Sequence, residues 1–207
     1  MMMRFARSLV FLSAALVLIG CGSSDSDGDD GARTSTSASE VPPDSIKQRV
    51  EREIEALNNM RESLASTIDT PAVGKATFKR VCKPVGQRAK KMAKANGWTV
   101  QQLAKKYRNP AHEPDAEARR LHEQFAEKPE QTDTWIRTVR KETPGWRYAR
   151  RIPGQPSCTA CHGSKENRPD FVKKGYPDDR AYGFEPGDLR GIYAVFVPDP
   201  SAQKEGP

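Results

Sequence analysis

Two cysteines and a histidine in the last third of the chain have the spacing of a cofactor-attachment motif. They belong to the segment Cys158-Thr159-Ala160-Cys161-His162. Two thiols three residues apart can each form a thioether with one vinyl group of a haem, and the adjacent histidine can then bind the iron. Covalent attachment suits an exported protein, because the cofactor cannot be lost to the surroundings. The motif therefore predicts one covalent haem c, held by Cys158 and Cys161, with His162 as an iron ligand.

Three other interpretations of the same residues leave part of the motif unexplained. A structural zinc site commonly uses two cysteine pairs, whereas the remaining cysteines are Cys21 and Cys82. A thioredoxin-like redox pair would follow a strand and begin a helix, but Pro156 and Gly163 flank this motif. A simple disulfide leaves His162 unexplained. Haem attachment is the interpretation that uses all three side chains.

A haem iron held by one histidine has a second axial position, and the sequence offers five candidates. They are Met60, Cys82, Met92, His112 and His122. The methionines are expected to pack in the core, and His122 is expected to face solvent. Cys82 differs because residues 75–108 contain eleven Lys or Arg and no Asp or Glu. Cations lower the pKa of a thiol, and the thiolate is the form that binds metal; an inert buried thiol is the alternative.

Further motifs accompany these residues in a set order. They are Tyr107-Arg108-Asn109-Pro110, Pro114-Asp115 with Glu117, Cys161-His162-Gly163, Tyr176-Pro177-Asp178, Ala181-Tyr182-Gly183 and Gly187-Asp188-Leu189-Arg190-Gly191. Over roughly residues 73–197, the set resembles the single-haem c-type family of PAS-like bacterial sensor domains, long catalogued as a domain of unknown function. The resemblance implies an α+β fold with a PAS-like antiparallel sheet. It also implies that Cys82, on an early helix, is the second axial ligand.

Other positions in these motifs have roles that can be proposed. His112 stands where this family usually has asparagine, which makes it an alternative second ligand to Cys82. Arg108 is expected to pair with a haem propionate through its planar guanidinium, and a surface arginine is the alternative. Gly187 and Gly191 lie at the start of a predicted strand, where the backbone is expected to pass close to the porphyrin.

The periodicity of apolar residues predicts the helices that position these residues. A first helix is predicted from apolar residues three or four apart, with Asp44 or Ser45 as its N-cap. A second helix is predicted over residues 73–95, where Pro84 should kink or divide it. A third is predicted over residues 115–127. The apolar positions of the first helix are Ile46, Val50, Ile54, Leu57, Met60, Leu64 and Ile68.

Three strands are predicted after the helices. Residues 134–142, 146–152 and 189–197 are rich in β-branched and aromatic side chains. Helices followed mostly by strands are typical of an α+β domain with an antiparallel sheet. We expect this folded domain to cover residues 46–198, with a polar tail over 199–207.

The N-terminus has the features of an export signal. Residues 1–7 carry two arginines and no acid, residues 9–19 form an apolar run, and Gly20 precedes Cys21. The run is too short for a membrane span, so we predict a signal peptide cleaved after Gly20. The pattern resembles a bacterial lipoprotein signal, which implies an acylated Cys21 that anchors the chain in a lipid membrane. A plain secretory signal is the alternative.

The segment after the leader predicts a tether and a location in the cell envelope. Residues 21–45 comprise Cys21 and a flexible linker of Gly, Ser, Thr and Asp without aromatic residues. We expect the domain to face the periplasm, with the outer membrane favoured because Gly22 rather than Asp follows Cys21. The formal net charge of +7 falls by two, to +5, with the leader. An exported protein meets no genome, so no nucleic-acid partner is expected.

Composition and motifs also limit the function. The mean hydropathy of −0.77 excludes a polytopic membrane protein. No catalytic triad, phosphate loop or organised carboxylate pair is recognisable, so we do not expect an enzyme, and a small peroxidase is a weak alternative. A thiolate ligand favours ferric iron and a low potential. We therefore expect a haem sensor of redox state or of a small ligand that reports by contact with a signalling partner. The alternative is an electron-transfer cytochrome that docks an acidic redox partner through residues 75–108.

Overall fold

The computed structural model describes residues 39–68 and 73–202, which contain five α-helices and four strands. The predicted signal peptide, Cys21, most of the tether and the last residues of the tail lie outside the described residues. The helices are α1 (Asp44–Ala65), α2 (Lys75–Asn96), α3 (Ala116–Glu127), α4 (Thr159–His162) and α5 (Asp170–Gly175), and the strands are β1 (Thr99–Leu103), β2 (Asp133–Arg140), β3 (Thr143–Pro153) and β4 (Leu189–Pro198). Two 3₁₀ turns, Pro110–His112 and Pro156–Cys158, precede α3 and α4.

The four strands form one antiparallel sheet in the order β1-β4-β3-β2. β4 is central, and its residues from Gly191 to Val197 are buried. This sheet with its helices confirms the predicted α+β, PAS-like class. The three predicted strands correspond to β2, β3 and β4, whereas β1 was not predicted from the sequence.

The sheet is covered on both faces, because alternate residues of β4 point to opposite sides. Tyr193, Val195 and Val197 pack with buried residues of α1 and α2. Ile192 and Ala194 pack on the other side with buried residues of α3. α2 and α3 therefore lie on opposite faces of the same central strand.

α1 has the predicted apolar face but different ends. Val50, Ile54 and Leu57 are fully buried against α2 and the sheet. The capping prediction is wrong, because Pro43 occupies the N-cap position, no side chain caps the helix, and Asp44 is its first residue. The helix ends at Ala65, so Ile68 lies beyond it.

α2 is continuous through Pro84, so the helix is not divided there, and a kink at Pro84 stays a prediction. Proline removes one intrahelical hydrogen bond, but Val81, Val85 and Ala89 are buried on both sides of it. Packing of this apolar face against α1 and the sheet keeps the helix in one piece. Gly97 adopts a left-handed conformation with φ of 68° and ends the helix.

α3 begins at an N-cap that also joins it to the sheet. The Asp115 carboxylate accepts a hydrogen bond from the Ala118 amide at 2.8 Å and two from Arg147 of β3, each at 2.7 Å. Leu121 and Phe125 are buried. His122 was expected to face solvent but is half-buried, and its Nδ1 has no hydrogen-bond partner among the described residues.

Among the helices that the structure describes, none is both long enough and apolar enough to cross a membrane.

Candidate functional site

A cavity of about 360 Å³ lies between α2, the start of β4 and the segment that carries the cysteine pair. Cofactor and small-molecule sites typically enclose ~300–1,000 Å³ and combine an apolar wall with a few polar groups. The apolar wall includes Val81, Val85, Leu103, Ile152 and the rings of Phe78, Phe171 and Tyr176. The polar and sulfur-bearing side chains of the lining are Arg61, Thr77, Cys82, Lys83, Gln102, Arg108, Asn109, His112, Ser157, Cys158, Cys161, His162 and Arg190.

The cavity brings together the residues that the sequence singled out for haem binding. Cys82, Cys158, Cys161 and His162 all line it, as does Arg108. The alternative ligand His112 lines it as well. The other three axial candidates, Met60, Met92 and His122, do not. Met92 is instead buried in the core between α1, α2 and the sheet, as predicted.

Residues 156–162, which the sequence predicts to attach haem and which are named the attachment segment for that reason, form a short helical stretch between β3 and α5. The 3₁₀ turn Pro156–Cys158 continues into α4, which ends at His162. Residues three and four apart share a helix face, so Cys158, Cys161 and His162 are presented together. All cysteines in the described part of the chain are free thiols. Burial raises the pKa of the Cys161 thiol.

A glycine is required directly after the histidine. The Gly163 amide donates a hydrogen bond to the Thr159 carbonyl at 2.7 Å and closes the helical turn. A Cβ at this position would lie 2.6 Å from the same carbonyl oxygen, which is closer than van der Waals contact allows. Gly163 thus fixes the backbone that presents His162.

The ring of His162 is oriented through its Nδ1 atom. Nδ1 lies 2.8 Å from the carbonyl oxygen of Ala181. A carbonyl only accepts hydrogen bonds, so Nδ1 carries the proton and Nε2 keeps its lone pair. Burial, with the positive charges of Arg190 and Arg108, holds the pKa of His162 well below its usual value. The ring is therefore neutral at neutral pH, which is the form that binds metal.

Arg108 is held by protein groups next to His162. Its Nη2 donates to the Cys161 carbonyl at 2.7 Å and lies 3.3 Å from His162 Nδ1. Its Nε donates to the buried carboxylate of Asp179 at 3.3 Å. The sequence predicted a propionate partner for Arg108, whereas the structure shows this guanidinium bound to the attachment segment itself. Its pairing with a propionate stays a prediction.

Asp179 connects this arginine to the segment beyond α5. Its side chain is fully buried and also accepts hydrogen bonds from Arg168 and from the Ala181 amide, each at 2.9 Å. Burial alone raises the pKa of Asp179, but the two guanidiniums and the amide outweigh it and lower the pKa below its usual value. The ionised carboxylate therefore organises both Arg108 and the carbonyl that orients His162.

Cys82 reaches the cavity from the first half of α2. Its side chain is exposed, but that surface lies along the cavity wall. Burial among protein atoms, together with the neighbouring thiols of Cys161 and Cys158, raises the pKa of Cys82 to about 11. The predicted lowering of this pKa is wrong, because the lysines and arginines of α2 are exposed to solvent. Only Arg108 and Arg190 act in the opposite direction, and they do not offset the burial.

Arg190 belongs to one of the sequence motifs, although no role was predicted for it. The side chain lines the cavity beside the attachment segment. Its position directly before Gly191 in an ordered motif was the available signal. Gly191 is required there, because a Cβ would lie 2.6 Å from the Leu103 carbonyl of β1. The close approach of β1 and β4 thus forms one side of the cavity.

In the described ranges, no three His, Cys, Asp or Glu side chains converge in a way that could hold a metal ion. The same cavity is instead lined by a sulfur from α2, Cys82, and an imidazole from α4, His162. An iron already held in a porphyrin needs only two such axial ligands.

Comparison with known proteins points to the same chemistry. A family model described as Tll0287-like matches residues 40–198. A solved structure described as "Crystal structure of the cyanobacterial heme-protein Tll0287" shares 44% sequence identity with a TM-score of 0.67, and the alignment covers 76% of this chain and 98% of that one. No curated protein sequence matches the chain.

Proposed function

The chain belongs to the Tll0287-like family, and on this basis we propose that it is a membrane-tethered protein with one covalent haem c that senses redox state or a small ligand in the periplasm. The similar solved structure is described as that of a heme protein. The observation that carries the proposal is the shared cavity, into which α2 brings Cys82 while the segment after β3 brings Cys158, Cys161 and His162.

The residues of the cavity fit a haem in number and in chemistry. Each of the thiols of Cys158 and Cys161 adds across one vinyl double bond, with the sulfur on one carbon and the hydrogen on the other, so no oxidant is needed. Nε2 of His162 and Sγ of Cys82 are the proposed axial ligands, and Cys82 releases its proton when it binds. A bound haem iron supplies a one-electron redox centre and a site for small gases.

The positions of the two proposed ligands favour sensing. Cys82 belongs to α2, which packs on α1 and on one face of the sheet. His162 belongs to a segment held by Arg108 and by the Ala181 carbonyl. A change of ligation at Cys82 would therefore alter the position of α2, whereas the segment that carries His162 would stay in place. Such a local change biases the position of a whole element, as in other ligand switches.

The mass of the mature protein tests the attachment. Expressed in a cell with a working cytochrome c assembly system, the wild-type chain should carry the added mass of one haem. The double variant Cys158→Ser/Cys161→Ser should lack it, and Cys82→Ser, as the matched cysteine control, should retain it. A colourless wild-type protein without added mass contradicts the proposal.

The spectrum of the Cys82→Ala variant tests the second ligand. We expect loss of the low-spin thiolate spectrum of the ferric protein, while Lys90→Ala, at an exposed position of the same helix that does not line the cavity, leaves the spectrum unchanged. An unchanged spectrum in Cys82→Ala would remove Cys82 from the site. His112, which lines the same cavity, would then be tested by His112→Ala.

Low-potential electron transfer is the second candidate function, and the surface of α2 favours it. All eight lysines and arginines of this helix are exposed. Arg88 pairs with Glu53 at 2.8 Å, and in the described residues no other basic side chain of α2 forms an ion pair. A basic surface beside the proposed haem suits an acidic redox partner.

Gas binding and hydrogen exchange together distinguish a haem sensor from an electron carrier. Carbon monoxide or nitric oxide should bind the reduced protein and displace Cys82 if it senses small ligands. A redox sensor should change the exposure of α2 between oxidation states, which hydrogen exchange measures. A protein that binds neither gas, exchanges equally in both states and passes electrons to an acidic partner at a salt-dependent rate is an electron carrier.

A further inference from the structure

Arg190 occupies a β-bulge at the start of β4. In the register of β3 and β4, Ile152 faces Gly191 and Pro153 faces Leu189, so Arg190 is an extra residue without a partner on β3. Bulges redirect side chains and occur often beside functional sites. Here the bulge lies at the cavity, and the side chain of Arg190 forms part of the wall.

The guanidinium of Arg190 has few protein partners. Its Nη1 donates to the Lys106 carbonyl at 3.2 Å, and its Cζ lies 5.0 Å from the centre of the Phe184 ring. Within the described part of the chain, it forms no ion pair. The nearby carboxylate of Asp179 is already bound by Arg108 and Arg168. An arginine has five N–H donors, so most of those on Arg190 are available to a ligand.

The surroundings of Arg190 favour a negatively charged partner for its guanidinium. Burial, with the charge of Arg108, lowers the pKa of Arg190 to about 10, which still leaves the side chain charged at neutral pH. The titratable groups that interact electrostatically with Arg190 include Cys82, Arg108, His112, His122, Cys158, His162 and Asp179. A charge enclosed by protein is costly unless an opposite charge pairs with it.

We infer that Arg190 binds a carboxylate of the ligand in this cavity, which, under the proposed function on which this inference rests, is a propionate of the haem. The guanidinium fork matches a carboxylate with two parallel hydrogen bonds. Cys158 becomes an uncharged thioether in the proposed adduct, and the sulfur of Cys82 is a single-point acceptor bound to iron. Arg108 already donates hydrogen bonds to Asp179 and to the Cys161 carbonyl of the attachment segment. Arg190 is therefore the better placed of the two arginines for the role that the sequence gave to Arg108.

Resonance Raman spectroscopy of the haem-loaded protein tests this inference, because it reports propionate bending and iron–sulfur stretching in separate bands. In Arg190→Gln, the propionate band should shift while the iron–sulfur band stays in place. Arg190→Lys, which keeps the charge without the fork, should give a smaller shift. Arg120→Gln replaces an exposed arginine of α3 and should match the wild type. The reduction potential should fall in Arg190→Gln, because a positive charge near the haem is removed.

Three results would overturn the inference, and they differ from one another. A wild-type protein with haem and an unshifted propionate band in both Arg190 variants refutes the role of Arg190 alone. A shifted iron–sulfur band with an unshifted propionate band means that Arg190 serves Cys82 instead. A wild-type protein without haem refutes the proposed function, and this inference with it. Arg190→Lys supplies the answer if Arg190→Gln does not fold.

Discussion

Gly191 shows how a single residue shapes the cavity wall. Its Cα faces β1, and a methyl group there would lie 2.6 Å from the Leu103 carbonyl and 3.2 Å from the Ala104 side chain. We predict that Gly191→Ala lowers the free energy of unfolding by about 1–3 kcal/mol, the usual cost of overpacking. Urea unfolding of the purified protein measures this change.

Gly175 provides the matched control for Gly191. It ends α5, and a Cβ there would meet no atom within 4 Å. Gly175→Ala should leave stability within about 0.5 kcal/mol of the wild type, as is usual for surface substitutions. If the two alanine variants were equally stable, the close approach of β1 and β4 would not limit the residue at position 191.

The close placement of Cys158, Cys161 and His162 could be predicted from the sequence because it depends on local spacing, and their covalent attachment to haem stays a prediction. Cys158, Cys161 and His162 are close in the chain, and one helical turn is enough to present them together. The partners of Arg108 and the bulge at Arg190 were not readable. They depend on contacts between segments far apart in the sequence and on the register of two strands.

The N-cap of α3 is the clearest case of an element joined to the sheet by charge. Arg147 is almost fully buried and donates two hydrogen bonds to Asp115, and its Nε lies 2.9 Å from Glu117. Asp115→Asn keeps a cap acceptor but removes the charge that faces Arg147. We predict a loss of about 1–3 kcal/mol at pH 7, the range for a charged hydrogen bond, measured by urea unfolding.

The same pair predicts a pH dependence of stability. Hydrogen bonds from Arg147 lower the pKa of Asp115 below its usual value of 3.8. The ionised carboxylate therefore stabilises the folded state above that value, and this contribution is lost as the pH falls through the lower, folded-state pKa. The stability difference between the wild type and Asp115→Asn should be largest at neutral pH and shrink below about pH 4. A difference that stays constant down to pH 2 would contradict this assignment.

Asp44→Asn is the control at the element scale. Asp44 lies in the first turn of α1, where no side-chain cap is formed. Its replacement should change stability by less than about 0.5 kcal/mol, as expected for a surface position.

Long periodic elements were predicted well, and short ones were not. The apolar faces of α1, α2 and α3 depend on repeated spacings that tertiary contacts reinforce. β1 contains two glutamines and forms because it pairs with the central strand β4. Pro84 shows the opposite case, in which local propensity favours a break in α2 but packing keeps the helix continuous.

At the scale of the whole molecule, Cys21 decides where the protein resides under the proposed function. Cys21→Ser should abolish acylation, since the hydroxyl does not replace the thiol as acceptor, and the chain should move from the membrane to the soluble envelope fraction. The haem content per folded chain should stay the same, because every proposed haem-binding residue lies between positions 82 and 190. Fractionation followed by intact-mass measurement tests both points.

Ser23→Ala is the control for Cys21→Ser, because it changes the same segment and leaves the thiol in place. It should remain with the membrane. A Cys21→Ser protein that also stays there would show that something other than the acyl group holds the chain.

The proposed ligands lie in distant parts of the chain, and β1, α3, β2 and β3 all come between Cys82 and Cys158. A porphyrin fastened at both places closes this stretch like a cross-link, which removes freedom from the unfolded chain. On heating, loss of colour and melting of the helices should therefore coincide in a single transition. Reagents that displace the sulfur of Cys82 from the iron should remove this cross-link and make the whole domain more susceptible to proteolysis.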